Sequence, residues 1–290
     1  MNNINSNTLT NINKDKWFEI ITDEEVINLS DFDGLIIDTI SKTQPNGDTQ
    51  TTKIDSLDGE IPEFTTYGTY DLEVETLFRG IDKKDVDIFI FKLNNILSKR
   101  KPYYIRHSDL PFIKFAVKPA PEISTSKVTR NDWEIAISFE CYKGYSESYK
   151  TVKNMSFLDG NWQFEQGIKF NDDIKYEHES DNFDIYNGSS NTIDPWSNHY
   201  LKIEINADVK DSLIIRNNTT NEEIVYKGEL KKEQKLIIDG VYPYLDGNRV
   251  GRYTNFEHLT LKKGYNNISV FGTDINNPPK IKFDFNFIYR

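Results

Sequence analysis

The chain reads as mainly β, built from two β-sandwich-like parts, the first of which carries one α-helix. Three observations predict this. Aromatic residues make up 13% of the chain and all hydrophobic residues only 37%, a balance that suits many short, half-buried strands better than one large aliphatic core. Polar and apolar positions alternate with period two in both halves. A single stretch beginning near Lys83 shows instead the 3.6-residue period of a helix. At 290 residues the expectation is two domains.

In chain order, residues 1–16 are Asn-, Ser- and Thr-rich and read as a flexible arm, without the basic start and apolar core of a signal peptide. Residues 17–150 form the first β-rich domain. Trp17 to Ile21 and Val26 to Leu29 flank Thr22-Asp23-Glu24-Glu25 as a hairpin. Asp33-Gly34 turns the chain into Leu35-Ile36-Ile37, and Thr43 to Thr52 reads as a polar loop with Pro45, Asn46 and Gly47 at its tip. Asp71 to Phe78 alternates acidic with mostly apolar residues, the pattern of a strand with one wet face.

Asp82 then stands where it can cap a helix by accepting from the N–H of Asp85, with Ile81 and Val86 at the two positions of a hydrophobic staple. The helix is expected over 83–99, with Val86, Phe89, Ile90, Leu93, Ile96 and Leu97 on one face, Lys99 to Lys101 at its carbonyl end and Pro102 ending it. Ile88 and Phe91 point away from that face. A helix apolar on two sides needs two partners, its own sheet and a neighbouring subunit. Periodicity alone leaves a buried strand over Val86 to Phe91 open. Strands follow around Tyr103, Phe112 to Val117 and Asp132 to Tyr142.

Residues 151–179 read as a linker holding one aromatic turn segment, Phe157 to Phe164, and residues 180–290 as a sandwich of strands about ten residues apart. The expected strands are Phe183 to Tyr186, Leu201 to Ile205, Leu213 to Arg216, Ile224 to Tyr226, Lys235 to Ile238, His258 to Leu261, Ile268 to Phe271 and Lys280 to Tyr289. Gly264 turns a hairpin between Leu259 and Gly272. In the last strand Ile281, Phe283, Phe285, Phe287 and Tyr289 share one face and Lys282, Asp284 and Asn286 the other.

The formal net charge of −11 is dispersed, so no basic stripe offers a grip on nucleic acid. No apolar run approaches the length of a membrane span. The single cysteine, Cys141, excludes an intrachain disulfide framework and lies in a strand pattern as a small apolar residue. His107, His178, His199 and His258 show no metal-ligand spacing, and His107 with Asp109 reads as loop hydrogen bonding. There is no nucleophile elbow, phosphate loop or C-x-x-C. The residues single out no catalytic group, cofactor site or metal site. Trp196, Tyr200, Tyr242, Tyr244 and Tyr253 are candidates for a sugar platform, although aromatics at sandwich turns are more often packing plugs or interface anchors.

Residues from Trp17 to about Gly167 resemble the N-terminal domain of the distal tail proteins of long-tailed phages of Gram-positive hosts. The resemblance rests on the Leu29-Ser30-Asp31-Phe32-Asp33-Gly34-Leu35 opening, the Asp58-Gly59 turn and Tyr70 to Gly80 leading into an Asp-capped helix. It continues through Tyr104-Ile105-Arg106-His107-Ser108 and the closing Phe139-Glu140-Cys141 with Tyr145-Ser146-Glu147-Ser148. The second half resembles the galectin-like C-terminal domain of the same proteins.

The resemblance implies a non-enzymatic, six-membered homo-oligomeric ring at the virion tail tip, assembled in the bacterial host cytoplasm. Such a ring stacks beneath the tail tube protein and serves as hub for a tail-tip spike or tail-associated lysin and for receptor-binding proteins, with DNA only passing through the lumen. For this chain, Ile88, Phe91, Val86 and Phe89 are then the candidate ring interface, with the arm. Asp71, Glu73 and Glu75 are candidate lumen-facing acids that repel passing DNA. The competing expectation is a cell-wall carbohydrate-binding protein acting through the C-terminal sandwich.

Overall fold

The computed structural model describes residues 16–56, 58–154, 174–272 and 278–290. Nearly all of the expected arm and the Phe157 to Phe164 segment lie outside them. The chain divides into two compact units, Met1–Ser146 with Arg290, and Glu147–Tyr289.

The first unit contains β1 (Phe18–Ile21), β2 (Val26–Asn28), β3 (Leu35–Lys42), β4 (Gly47–Thr52), β5 (Ile61–Tyr67), β6 (Tyr70–Arg79), α1 (Lys83–Leu97), β7 (Tyr103–His107), β8 (Ile113–Val117), β9 (Glu122–Lys127) and β10 (Asp132–Cys141). One antiparallel sheet runs β2-β1-β7-β8-β10-β6-β3, with β9 paired to β10. β10 meets β8 only at Cys141 and Val117, whereas it pairs with β6 along its whole length. The sheet therefore bends there, and its two halves close on each other. Phe18 of β1 stacks on Phe139 of β10 at 5.4 Å between ring centroids, and His107 stacks on Phe115 at 5.5 Å.

Several expectations change. Thr43 to Thr52 is not all loop: Gly47–Thr52 pairs with Ile61–Tyr67 as a separate two-stranded sheet, and every residue of both strands is exposed. A ribbon wet on both faces has no dry face to impose alternation, so period two could not reveal it. The helix ends at Leu97, and Lys99 to Lys101 lie beyond it. Asp82 caps it as expected, accepting from the N–H groups of Lys84 and Asp85. The staple does not form: Val86 is buried but Ile81 is 84% exposed. Asp85 instead holds the entry, its carboxylate accepting from the Ile81 N–H at 2.8 Å.

β11 (Ser146–Ser148) spans the division. The second unit continues with β12 (Glu177–His178), β13 (Asn182–Asn187), β14 (Leu201–Asn206), β15 (Ser212–Asn217), β16 (Glu222–Lys227), β17 (Leu236–Asp239), β18 (Tyr242–Leu245), β19 (Asn248–Arg249), β20 (Gly264–Gly272), β21 (Lys280–Phe285) and β22 (Ile288–Tyr289). A sheet β12-β21-β14-β17-β18-β19 faces a sheet β13-β20-β15-β16. Phe183 and Phe283 meet edge to face between them at 6.2 Å.

The division falls earlier than the expected boundaries at 150 and 180. Tyr176 is buried, its hydroxyl donating to the Tyr186 carbonyl at 2.9 Å, and β12 pairs with β21, so these residues of the expected linker are part of the second unit. A two-residue edge strand is too short to leave a period in the sequence. His258 to Leu261 is not a strand, and the expected hairpin across Gly264 is absent. β20 pairs with β13 and β15, while Leu261 exchanges backbone hydrogen bonds with Ile193 alone. The last strand breaks after Phe285, where the Asn286 amide donates to the carbonyls of Ser148 and Lys150. Asp284 and Asn286 are accordingly buried rather than wet.

Candidate functional site

Three surface features of the first unit stand out, and α1 is the first. Its inner face buries Val86, Phe89, Leu93 and Leu97. Phe89 stacks on Phe78 of β6 at 4.3 Å and meets Phe32 edge on at 6.1 Å. Val86 and Phe89, expected among interface residues, thus lie in the unit's own core. Ile88 and Phe91 lie on the opposite face, 55% and 68% exposed. Beside them a groove of about 680 Å³ runs between the helix and the end of β6, lined by Phe32, Phe78, Arg79, Ile88 and Lys92.

The helix entry is tied down by side-chain contacts. Arg79 pairs with Asp132 at 2.7 Å across the ends of β6 and β10. That guanidinium, helped by the Thr129 hydroxyl, holds the Asp132 carboxyl below its usual range. Gly34 sits at φ +81°, and a Cβ there would meet the Arg79 carbonyl oxygen at 2.8 Å, so only glycine fits the approach of this loop to β6.

The second feature is the outer face of the sheet. Asp71, Glu73 and Glu75 all lie on it, Asp71 and Glu73 exposed and Glu75 half-buried. Pairing with β10 sets Glu140 opposite Asp71, and Glu134 projects from the same side. Lys118 neutralises Glu140 across 2.5 Å. Glu134 and Glu140 were legible in the alternation of Asp132 to Cys141; that they share a face with the β6 acids required the register. The third feature is the β4–β5 ribbon, with Ile61 and Phe64 about half exposed.

The remaining sequence candidates separate. His107 is not a loop residue: it ends β7, is 5% exposed, and stacks on Phe18 and Phe115, while Asp109 takes the Ser108 hydroxyl. Burial pushes its imidazole down to about 4, with Asp109 opposing and Lys42 adding to the shift. Cys141 is buried and its thiol is pushed up to about 12, chiefly by burial. Among the described residues no group of three or more His, Cys, Asp or Glu side chains could hold a metal ion, and no helix is long and apolar enough to cross a membrane.

The five aromatics proposed as a sugar platform are engaged one by one. Trp196 stacks on His258, Tyr200 donates to Asp284, Arg249 lies over Tyr242 and Tyr244, and Arg252 lies over Tyr253.

Residues 12–141 match the family described as phage tail protein RIFT-related domain. The chain as a whole is similar in fold to the crystal structure of the SPP1 Dit protein, described as a paradigm of hub adsorption apparatus in Gram-positive infecting phages. That likeness has a TM-score of 0.66 at 12% identity and covers 93% of this chain and 99% of that one. Structures of the phage P2 baseplate in its activated conformation, with Ca and with Sr, align at TM-scores of 0.45 and 0.44 and 13% identity. They cover 94% and 93% of this chain and 98% and 97% of those chains, a likeness too loose to argue from. No curated protein matches the chain in sequence. The domain match and the fold bear out the resemblance to distal tail proteins drawn from the residues.

Proposed function

We propose that this chain is a non-enzymatic structural protein of a phage tail tip. Copies of it close into a ring, six-membered by the resemblance, at the distal end of the tail tube. The first unit makes the ring. The second is a platform for a tail-tip spike or tail-associated lysin and for receptor-binding proteins. The observation that carries this reading is the phage-tail domain at residues 12–141, within a chain whose fold parallels SPP1 Dit along both units.

A closed ring needs a heterologous interface, one patch against a different one. Ile88 and Phe91 supply an apolar patch on the outer face of α1. The β4–β5 ribbon is a second candidate, because a two-stranded hairpin exposed on both faces is marginal in water and gains from being covered. The acids of β6, joined by Glu134, suit a wall past which DNA must slide without sticking.

The test is the mass and negative-stain image of the intact protein beside Phe91→Asp. Wild type should form rings and the variant monomers with an unchanged melting temperature. Rings from Phe91→Asp would remove the helix from the interface, and a monomeric wild type would remove the hub reading. A ring structure with Asp71, Glu73 and Glu75 on its outer rim would end the assignment of those acids to the lumen.

A further inference from the structure

The outer face of the β13-β20-β15-β16 sheet carries a strip of interlocked polar side chains with an aromatic ring at each end. Along the central strand β20, the side chains of Tyr265, Asn267, Ser269 and Phe271 share the outer face, Tyr265 and Phe271 exposed, Asn267 half-buried and Ser269 covered by its neighbours, and they alternate with the inward Asn266, Ile268 and Val270. At ~3.4 Å per residue the two aromatic rings stand roughly 20 Å apart. Strand pairing places Asp184 opposite Asn267, and Asn182 and Arg216 on either side of Ser269. Asn218 joins from the end of β15, its backbone N–H bonded to the Asn267 carbonyl at 2.8 Å.

These side chains hold one another in place. The Asn218 amide donates to Asn267 Oδ1 at 2.7 Å and to Ser269 Oγ at 2.6 Å. The Asn267 amide donates to Asn182 Oδ1 at 3.0 Å and Asp184 Oδ1 at 2.9 Å, and the Asn182 amide donates to Ser269 Oγ at 3.3 Å. What remains uncommitted among the described residues is specific: the Arg216 guanidinium, the second oxygen of Asp184, the Asn218 oxygen and one Asn182 N–H. Donors and acceptors of the exposed Asn182, Asp184 and Arg216 thus sit at fixed positions around the covered Ser269.

Asn and Asp are poor strand formers, and an ordinary wet strand face is better made with Thr, Lys or Glu. A sheet that places Asn182, Asp184 and Asn267 side by side gives up local preference, as functional surfaces do. The kind of ligand follows from the chemistry. A protein hot spot has an apolar centre and a polar rim, whereas this strip has a polar centre with its apolar rings at the two ends. One cation, Arg216, with Asp184 on β13 and Glu223 opposite it on β16, in a chain of net charge −11, does not select a polyanion. Sugar hydroxyls are donors and acceptors at once, and their C–H faces stack on aromatic rings.

We infer that this strip, bounded by Tyr265 and Phe271, binds a linear neutral saccharide along β20, with Arg216 and Asp184 gripping hydroxyls at its centre. The inference does not rest on ring assembly and stands or falls separately from it.

The experiment is calorimetric titration of the full chain with oligosaccharides of neutral hexoses and of N-acetylhexosamines. At least one should bind. Arg216→Ala and Asp184→Ala should each weaken it on the order of tenfold, the factor carried by a charge-assisted hydrogen bond. Tyr265→Ala should weaken it too, and Trp196→Ala should leave it unchanged. Melting curves check that each variant is folded; where Arg216→Ala is not, Arg216→Lys, which keeps the charge and loses the fork, should weaken binding as well. The inference is overturned if neither probe class binds, if binding survives the Arg216 and Asp184 changes, or if those changes alter the mass of the assembly instead.

Discussion

His107 should make the first unit lose stability between pH 6.5 and 4. The ring lies between Phe18 and Phe115 with its Nδ1 buried and without a hydrogen-bond partner among the described residues, so protonation places a charge in an apolar stack. Its pKa falls from the ordinary 6.5 to about 4 because burial outweighs the attraction of Asp109. The unfolded chain therefore binds a proton that the folded one refuses. The penalty is absent above 6.5, grows as pH falls and is complete below about 4, where it corresponds to about 3 kcal/mol. Urea unfolding of wild type and His107→Phe at several pH values isolates it, since phenylalanine fills the same stack and does not titrate. His178, also lowered by burial, acts with the same sign in the second unit and is common to both proteins. The carboxyls of Asp132, Glu140 and Glu177, held low by their partners, withdraw their stabilisation only below about pH 5. Equal pH slopes in the two proteins, or an imidazole that titrates near 6.5 by NMR, would refute the argument.

Phe89→Ala should cost about 3–5 kcal/mol in chemical denaturation because it opens the stack with Phe78, whereas Phe91→Ala, two residues on, should stay within about 0.5 kcal/mol in the monomer. Asn266 is fully buried, donating to the carbonyls of Lys262 and Gly264 and accepting from the Lys262 N–H. Asn266→Ala strands these groups and should lower the stability of the second unit by roughly 2 kcal/mol or more, read as a shifted melting temperature.

The sequence showed most clearly those elements with one wet and one dry side. β6, β10, β14 and the inner face of α1 were readable because burial imposes a period. Elements with two similar sides were not. The β4–β5 ribbon is wet on both and passed for a loop, while Asp284 and Asn286 looked wet and are covered. Leu259 and Leu261 alternate like a strand, yet the buried Asn187 amide donates to the Leu261 carbonyl at 2.8 Å, and that carbonyl also accepts from the Ile193 N–H. A side-chain amide has no periodic signature, so a segment held by one is misread as a strand.

The same reasoning explains why the surfaces were harder to read than the core. Ile88 and Phe91 could be singled out because an apolar residue on the wrong side of a helix is an anomaly visible within its own segment. Asn182, Asn218 and Asn267 are anomalous only together, and strands β13, β15 and β20 bring them together from as far as 85 residues apart. Singly, each is a polar residue in or beside an exposed strand and excites no attention. Their meaning lies in register, which a hydrophobic pattern constrains only through the face it buries. The inward residues of β20 decide that Tyr265, Asn267, Ser269 and Phe271 face out; which neighbours they meet there is decided by the pairing of β20 with β13 and β15. The buried half of this sheet thus dictates the geometry of its exposed half, and a change that shifted β20 by one residue would exchange the strip for Asn266, Ile268 and Val270.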